Sequence, residues 1–130
     1  MTAAANVKLW HSMSFGDVDT MMSWLRAMGF VEHATIRDEQ HPSVVVHAEW
    51  LWNGGGGIMF GSERADGAVH NTGRSSVYLV TEEPDAVFDR AIAAGGTVVR
   101  AMLDQDYGGR GGTVGDPEGN QWSIGSYQPT

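Results

Sequence analysis

Two helix signals 66 residues apart constrain most strongly what this chain can fold into. In the first, Asp17 to Asp19 open a stretch where Val18, Met21, Met22, Leu25 and Met28 recur at helical spacing, and Gly29 stops it. In the second, Glu83-Pro84-Asp85 puts proline near the first helical position and acids in the first turn. Val87, Phe88, Ala91 and Ile92 form its apolar stripe, and Gly95 stops it. A shift of 66 residues lays Asp19 on Asp85, Met22 on Phe88, Leu25 on Ala91 and Gly29 on Gly95.

One strand-like run precedes each helix and three follow it. The runs are 7–15, then about 30–37, 43–52 and 57–61; and 76–81, then 97–102, 112–115 and 121–124. Asn53-Gly54 supplies a hairpin turn. The expected fold class is therefore α+β: two pseudo-symmetric βαβββ modules forming curved mixed sheets around a cavity, with the helices outside. Module one spans about 5–63, a polar linker 64–73 and module two 74–127, within a single domain over 1–130. A four-stranded sheet with a helix on one face leaves the other face open, and pairing such faces makes a cavity.

Composition narrows the function. A chain of 130 residues, 42% hydrophobic and 18% charged, has the makings of one domain with a real core. It contains no cysteine, which rules out disulfides, thiolate metal sites and a cysteine nucleophile. A net charge of −8 argues against nucleic acid as a partner. No apolar run approaches the roughly 20 residues of a membrane span. Met1 to Val7 lacks the pattern of a secretory signal, so no membrane association and a cytoplasmic location are expected. The glycine clusters are followed by no G-x-x-x-x-G-K-[ST] signature, and no G-x-S-x-G elbow occurs.

Near the C-terminus, Tyr107-Gly-Gly-Arg110-Gly-Gly-Thr-Val-Gly-Asp116-Pro117-Glu118-Gly119-Asn120-Gln-Trp122 reads as strand, tight turn, strand. Together with Phe15-Gly-Asp17-Val-Asp19 through Trp24-Leu25 to Met28-Gly29-Phe30, and Val80 through Pro84-Asp85 to Ala94-Gly95-Gly96, this run resembles the vicinal oxygen chelate superfamily. That superfamily includes glyoxalase I, extradiol dioxygenases, fosfomycin-modifying enzymes and bleomycin-binding resistance proteins. His47-Ala48-Glu49 followed by Ile58-Met59-Phe60-Gly61 is similar to its PhnB-like subgroup.

The resemblance implies where a divalent metal would be held in the superfamily's enzymes. Those positions fall on Trp10, with His11 beside it; on Gly61 or Ser62, with Glu63 just after; on Ser76; and on Ser123, where glutamate is expected. Tryptophan and serine do not supply the imidazole or carboxylate such a site needs. The resemblance thus implies a metal-free small-molecule binding protein with no cofactor, whose ligand is enclosed in the sheet cavity. The alternative is a metal-dependent lyase or dioxygenase whose metal site has moved to residues among His11, His47, Glu49, Glu63 and His70. A homodimer is implied as well, and it is the commonest symmetric assembly.

Several side chains are candidates for the ligand site. His47 and Glu49, two apart on a strand, share a face that alternation makes the concave one. They fit a hydrogen-bonded polar pair or an acid/base couple. Trp10, Trp50, Tyr78 and Tyr107 fit an aromatic lining, with core packing open as the other reading, while Trp24 and Trp122 read as core. Arg110 fits a bidentate contact to a ligand carboxylate or a structural salt bridge. If Trp10 faces the cavity, strand parity sends His11 toward the helix. Asp116, Gly119 and Asn120 read as turn-formers.

Overall fold

The computed structural model describes residues 7–66, 71 and 73–129. The chain divides into two compact units, Met1–Asn71 and Thr72–Thr130. Both use the same plan. The first runs β1 (Trp10–Phe15), α1 (Val18–Met28), β2 (Val31–Arg37), β3 (Val45–Trp52) and β4 (Gly56–Ser62). The second runs β5 (Val77–Val80), α2 (Pro84–Ala93), β6 (Thr97–Asp104), β7 (Arg110–Gly115) and β8 (Gln121–Gly125). Each sheet is mixed and four-stranded, with orders β1-β4-β3-β2 and β5-β8-β7-β6. The two end strands β1 and β5 pair in parallel with the last strand of their own unit, and the remaining pairs are antiparallel.

Both helices start and stop where their sequence signals lie. Asp17 caps α1 by accepting from the Thr20 backbone N–H at 3.2 Å and from its hydroxyl at 2.7 Å. These bonds, the hydroxyl's foremost, hold the Asp17 carboxyl below its ordinary pKa of 3.8. Proline opens α2, where Glu83 caps without a side-chain bond. Gly29 and Gly95 follow the helices at φ 124° and 117°, a left-handed backbone that favours glycine.

In the first unit all five stripe residues of α1 are buried, as are Met13, Phe15, Ala48, Trp50, Ile58 and Phe60 of the sheet. Phe60 joins the Phe15 and Trp50 rings, with centroids 5.2 and 5.6 Å away. In the second unit Pro84, Val87, Phe88 and Ala91 of α2 are buried, with Leu79, Val114, Trp122 and Ile124 of the sheet. The helix packs on β6, β7 and β8. A side chain at Gly112 would run into Phe88 at 3.0 Å, so Gly112 and its parity mates on β7 face α2.

The β6–β7 hairpin is longer than the expected runs 97–102 and 112–115. Its strands extend to Asp104 and back to Arg110, because the Gln105 N–H closes on the Gly109 carbonyl at 2.8 Å and turns the chain. Alongside it, Arg110 joins Asp85 of α2 through two bonds of 3.0 Å and Asp104 through one of 3.0 Å. The Arg110 hydrogen bond holds the Asp85 carboxyl below its ordinary 3.8 and raises the guanidinium in turn. A depressed carboxyl contributes stability that is present above its unfolded pKa and lost as pH falls through the folded one. Asp85→Asn should therefore lower Tm at pH 7, and the gap to wild type should close as the pH drops well below 3.8. A gap that stays constant down the acid limb would show that the pair contributes nothing through charge.

Candidate functional site

Alternation leaves each sheet one face turned away from its helix. In the first unit this open face carries Trp10, Ser12 and Ser14 of β1, Met59 of β4, and His47 and Glu49 of β3. The register fixes the assignment. Ser12 pairs with Met59, which pairs with Glu49, whereas His11 pairs with Ile58 on the core side. Trp10 lies over Gly57, where an added Cβ would strike its ring. His11 is half-buried, and burial pushes its imidazole below the ordinary 6.5. His47 Nε2 meets Glu49 Oε2 at 2.9 Å. His47 also lines a hollow of about 260 Å³ with Ser12, Ser14, Met59 and Asn71. Asn71 closes this end by mimicking a strand: its amide accepts from Ser14 N–H at 3.0 Å and donates to Ser14 C=O at 2.7 Å.

In the second unit Tyr78 of β5, Ser123 of β8 and Thr113 of β7 lie side by side on the open face. They line a hollow of about 210 Å³ together with Ser76, Tyr107 and Arg100. The Thr113 and Ser123 hydroxyls bond each other at 2.9 Å. Tyr78 folds over Gly125, and its hydroxyl donates to the Tyr127 carbonyl at 2.7 Å. Partial burial, with Tyr107 nearby, raises the Tyr78 phenol above its ordinary 10.0. Tyr107, in the hairpin turn, meets the Tyr127 ring edge-on at 5.0 Å.

Of the candidates, Ser76, Tyr78, Tyr107 and Ser123 thus share one hollow, and Trp10, His47 and Glu49 share the other unit's open face. Two candidates fall elsewhere. Trp50 is fully buried on the helix side of β3, with the Arg26 guanidinium 4.7 Å from its ring centroid. Strand parity requires this once Glu49 takes the open face. Arg110 points to α2, and its fork is taken up by Asp85 and Asp104. Sequence reasoning passed over Arg100, Gln105, Thr113 and Asn71. Of these only Arg100 carried a signal, as a cation in a largely apolar strand.

The positions that would hold a metal do not suit one. Trp10 stacks on the sheet. The Ser62 hydroxyl accepts from Val45 N–H at 2.9 Å, and Ser123 is tied to Thr113. Glu63 is exposed. Among the described residues no three His, Asp or Glu side chains come together in a metal-holding group. His70 lies outside the described residues. No helix among those residues is long and apolar enough to cross a membrane.

Known proteins share this architecture. TioX from Micromonospora sp. ML1 is 25% identical, with a TM-score of 0.69 over 95% of this chain and 98% of its own. A PhnB protein from Bacillus cereus is 20% identical, with a TM-score of 0.69 over 91% of this chain and 98% of its own. A glyoxalase-related enzyme from Fulvimarina pelagi is 22% identical, with a TM-score of 0.65 over 91% of this chain and 86% of its own. Uncharacterized proteins of Mycobacterium bovis and Mycobacterium tuberculosis are 48% identical over 50 residues, 38% of this chain. The match spans 33% and 29% of the length of those two relatives. The model of the Glyoxalase/Bleomycin resistance protein/Dioxygenase superfamily matches residues 10–124, nearly the whole chain and both βαβββ units. The chain belongs to that superfamily.

Proposed function

We propose that this chain is a metal-free small-molecule binding protein of the glyoxalase/bleomycin resistance type, holding its ligand against the open sheet faces. The observation that carries this reading is the second unit's hollow, where Tyr78 and Tyr107 supply rings and Ser76, Thr113 and Ser123 supply hydroxyls. Apolar walls with a few placed polar groups are what a binding site needs. The same positions lack the nitrogen and carboxylate donors of a metal centre. Elemental analysis of untagged protein, paired with thermal shifts, tests it. Single-ring compounds should raise Tm by mass action, and Zn, Ni, Mn and Fe should not. A stoichiometric divalent metal, or a metal-induced rise in Tm, would replace this reading with a metal-dependent lyase or dioxygenase whose site has moved.

A second reading, metal-free acid/base catalysis, is favoured by the 2.9 Å bond between His47 and Glu49. Glu49 holds one imidazole nitrogen, and the other is then left to take a proton from a bound molecule. With 5-nitrobenzisoxazole as a proton-loss probe, the wild type should exceed free imidazole at equal concentration, and His47→Gln should not. Equal rates for the two proteins would remove this reading.

The proposal includes a homodimer. Strand β6 ends its sheet and exposes Val98, Val99 and Leu103, an apolar edge that a second copy would cover. Light scattering should return twice the 14.0 kDa chain mass, and a monomer at all concentrations would dismiss the dimer.

A further inference from the structure

We propose that the hollow on the open face of the second sheet takes a monocyclic aromatic carboxylate, its ring against Tyr78 and Tyr107 and its carboxylate on Arg100. This inference rests on the small-molecule reading above and names the ligand class.

A single row of partners crosses all four strands: Arg100 pairs with Thr113, Thr113 with Ser123, and Ser123 with Tyr78. Thr113 is out of phase with Gly112, which faces α2, so the row lies on the open side. Within it, Arg100 is the charged donor, and the hydroxyls keep both donor and acceptor capacity. Thr113 and Ser123 share one hydrogen between them, which leaves one O–H to give. The Tyr78 hydroxyl is already donated to Tyr127, so this residue presents its ring.

Arg100 is the cation of the row. Its hydrogen-bond partner is the Gln105 side-chain oxygen, at 3.3 Å. Gln105 is held in that orientation because its amide N–H groups go to the Gly111 and Leu103 carbonyls, at 3.2 and 3.3 Å. Asp104, on the same strand, binds Arg110 instead. Arg26 and Arg37, by contrast, each hold a carboxylate, at 2.9 and 2.8 Å. In a chain with 16 acids and 8 Lys plus Arg, a guanidinium with no carboxylate partner among the described residues, on a hollow lined by two tyrosine rings, is suited to an incoming anion.

Size sets the rest of the class. A cavity of about 150 Å³ admits benzene, whereas drug-sized ligands occupy roughly 300 Å³ or more. About 210 Å³ suits one ring with small substituents.

Benzoate, 4-hydroxybenzoate and the neutral isostere benzamide test the assignment by calorimetry or ligand-observed NMR. Wild type should bind benzoate about tenfold more tightly than benzamide, and added salt should weaken only the acid. Arg100→Gln should erase that preference while leaving benzamide binding within about twofold. Its Tm should match wild type, because Arg100 is exposed. Arg100→Lys should keep part of the preference. Equal affinity for acid and amide in the wild type, or a preference that survives in Arg100→Gln, overturns the carboxylate assignment and leaves the small-molecule reading standing. Failure of the wild type to bind either ring at millimolar concentration overturns both.

Discussion

Replacing Asp116 with alanine is expected to lower stability by about 3–4 kcal/mol, or roughly 12–16 °C in Tm. The side chain is small and sits in a turn, but it is buried, at 4% exposure. One oxygen accepts from the backbone N–H of Glu118 at 2.8 Å and of Asn120 at 3.0 Å. The other accepts from the Asn120 amide and from Trp122 Nε1, both at 2.9 Å. Trp122 is itself fully buried, so alanine leaves its indole N–H without this acceptor in the core. Asp116→Asn should recover little. The new NH₂ must face either the two backbone donors or the indole and the Asn120 amide. Trp122→Phe removes the donor that Asp116 serves, so the double variant should cost less than the sum of the two singles. Urea denaturation measures all three. A loss under 1 kcal/mol for Asp116→Ala, or strict additivity with Trp122→Phe, would show that the carboxylate is only a turn residue.

This residue illustrates how far sequence reached. D-P-E-G is legible as a turn, because aspartate bonding ahead, proline and glycine each have a local role. What Asp116 does for Trp122, six residues on, depends on the returning strand and has no local signature. The same division runs through the molecule. Helix caps at Asp17, Gly29 and Gly95 and the doubled strand order are local or periodic, and they were readable. Which way a side chain points was readable where one strand settles it, as for His47 and Glu49 against Ala48. It was not readable where two strands must be aligned. Arg110 drew attention because it sits inside the diagnostic glycine run, yet α2 supplies the acid that occupies it. The place of Arg100 opposite Thr113 was not readable, because only the bulged register of β6 against β7 sets it there.

For Trp50 residue type allows either a ligand wall or the core, and its substitution separates the two. Trp50→Ala is expected to cost about 4 kcal/mol, far more than trimming an exposed ring would. The indole is fully buried, stands edge-on to Phe60 at 5.6 Å, and donates to the Thr35 hydroxyl at 3.0 Å. Arg26 covers it, 4.7 Å from the ring centroid, and is held there by Glu32 at 2.9 Å. Removing the ring therefore opens a cavity, takes the indole donor from Thr35 and uncaps a guanidinium together. Trp50→Phe keeps a ring against Phe60 and loses the N–H, so it should cost about 1–2 kcal/mol and remain folded for binding work. Its affinity for benzoate should match wild type, because Trp50 lies on the helix side of β3 and the acid's hollow belongs to the other unit. Wild-type stability in Trp50→Ala, or loss of benzoate binding in a fully folded Trp50→Phe, would return this tryptophan to the ligand site.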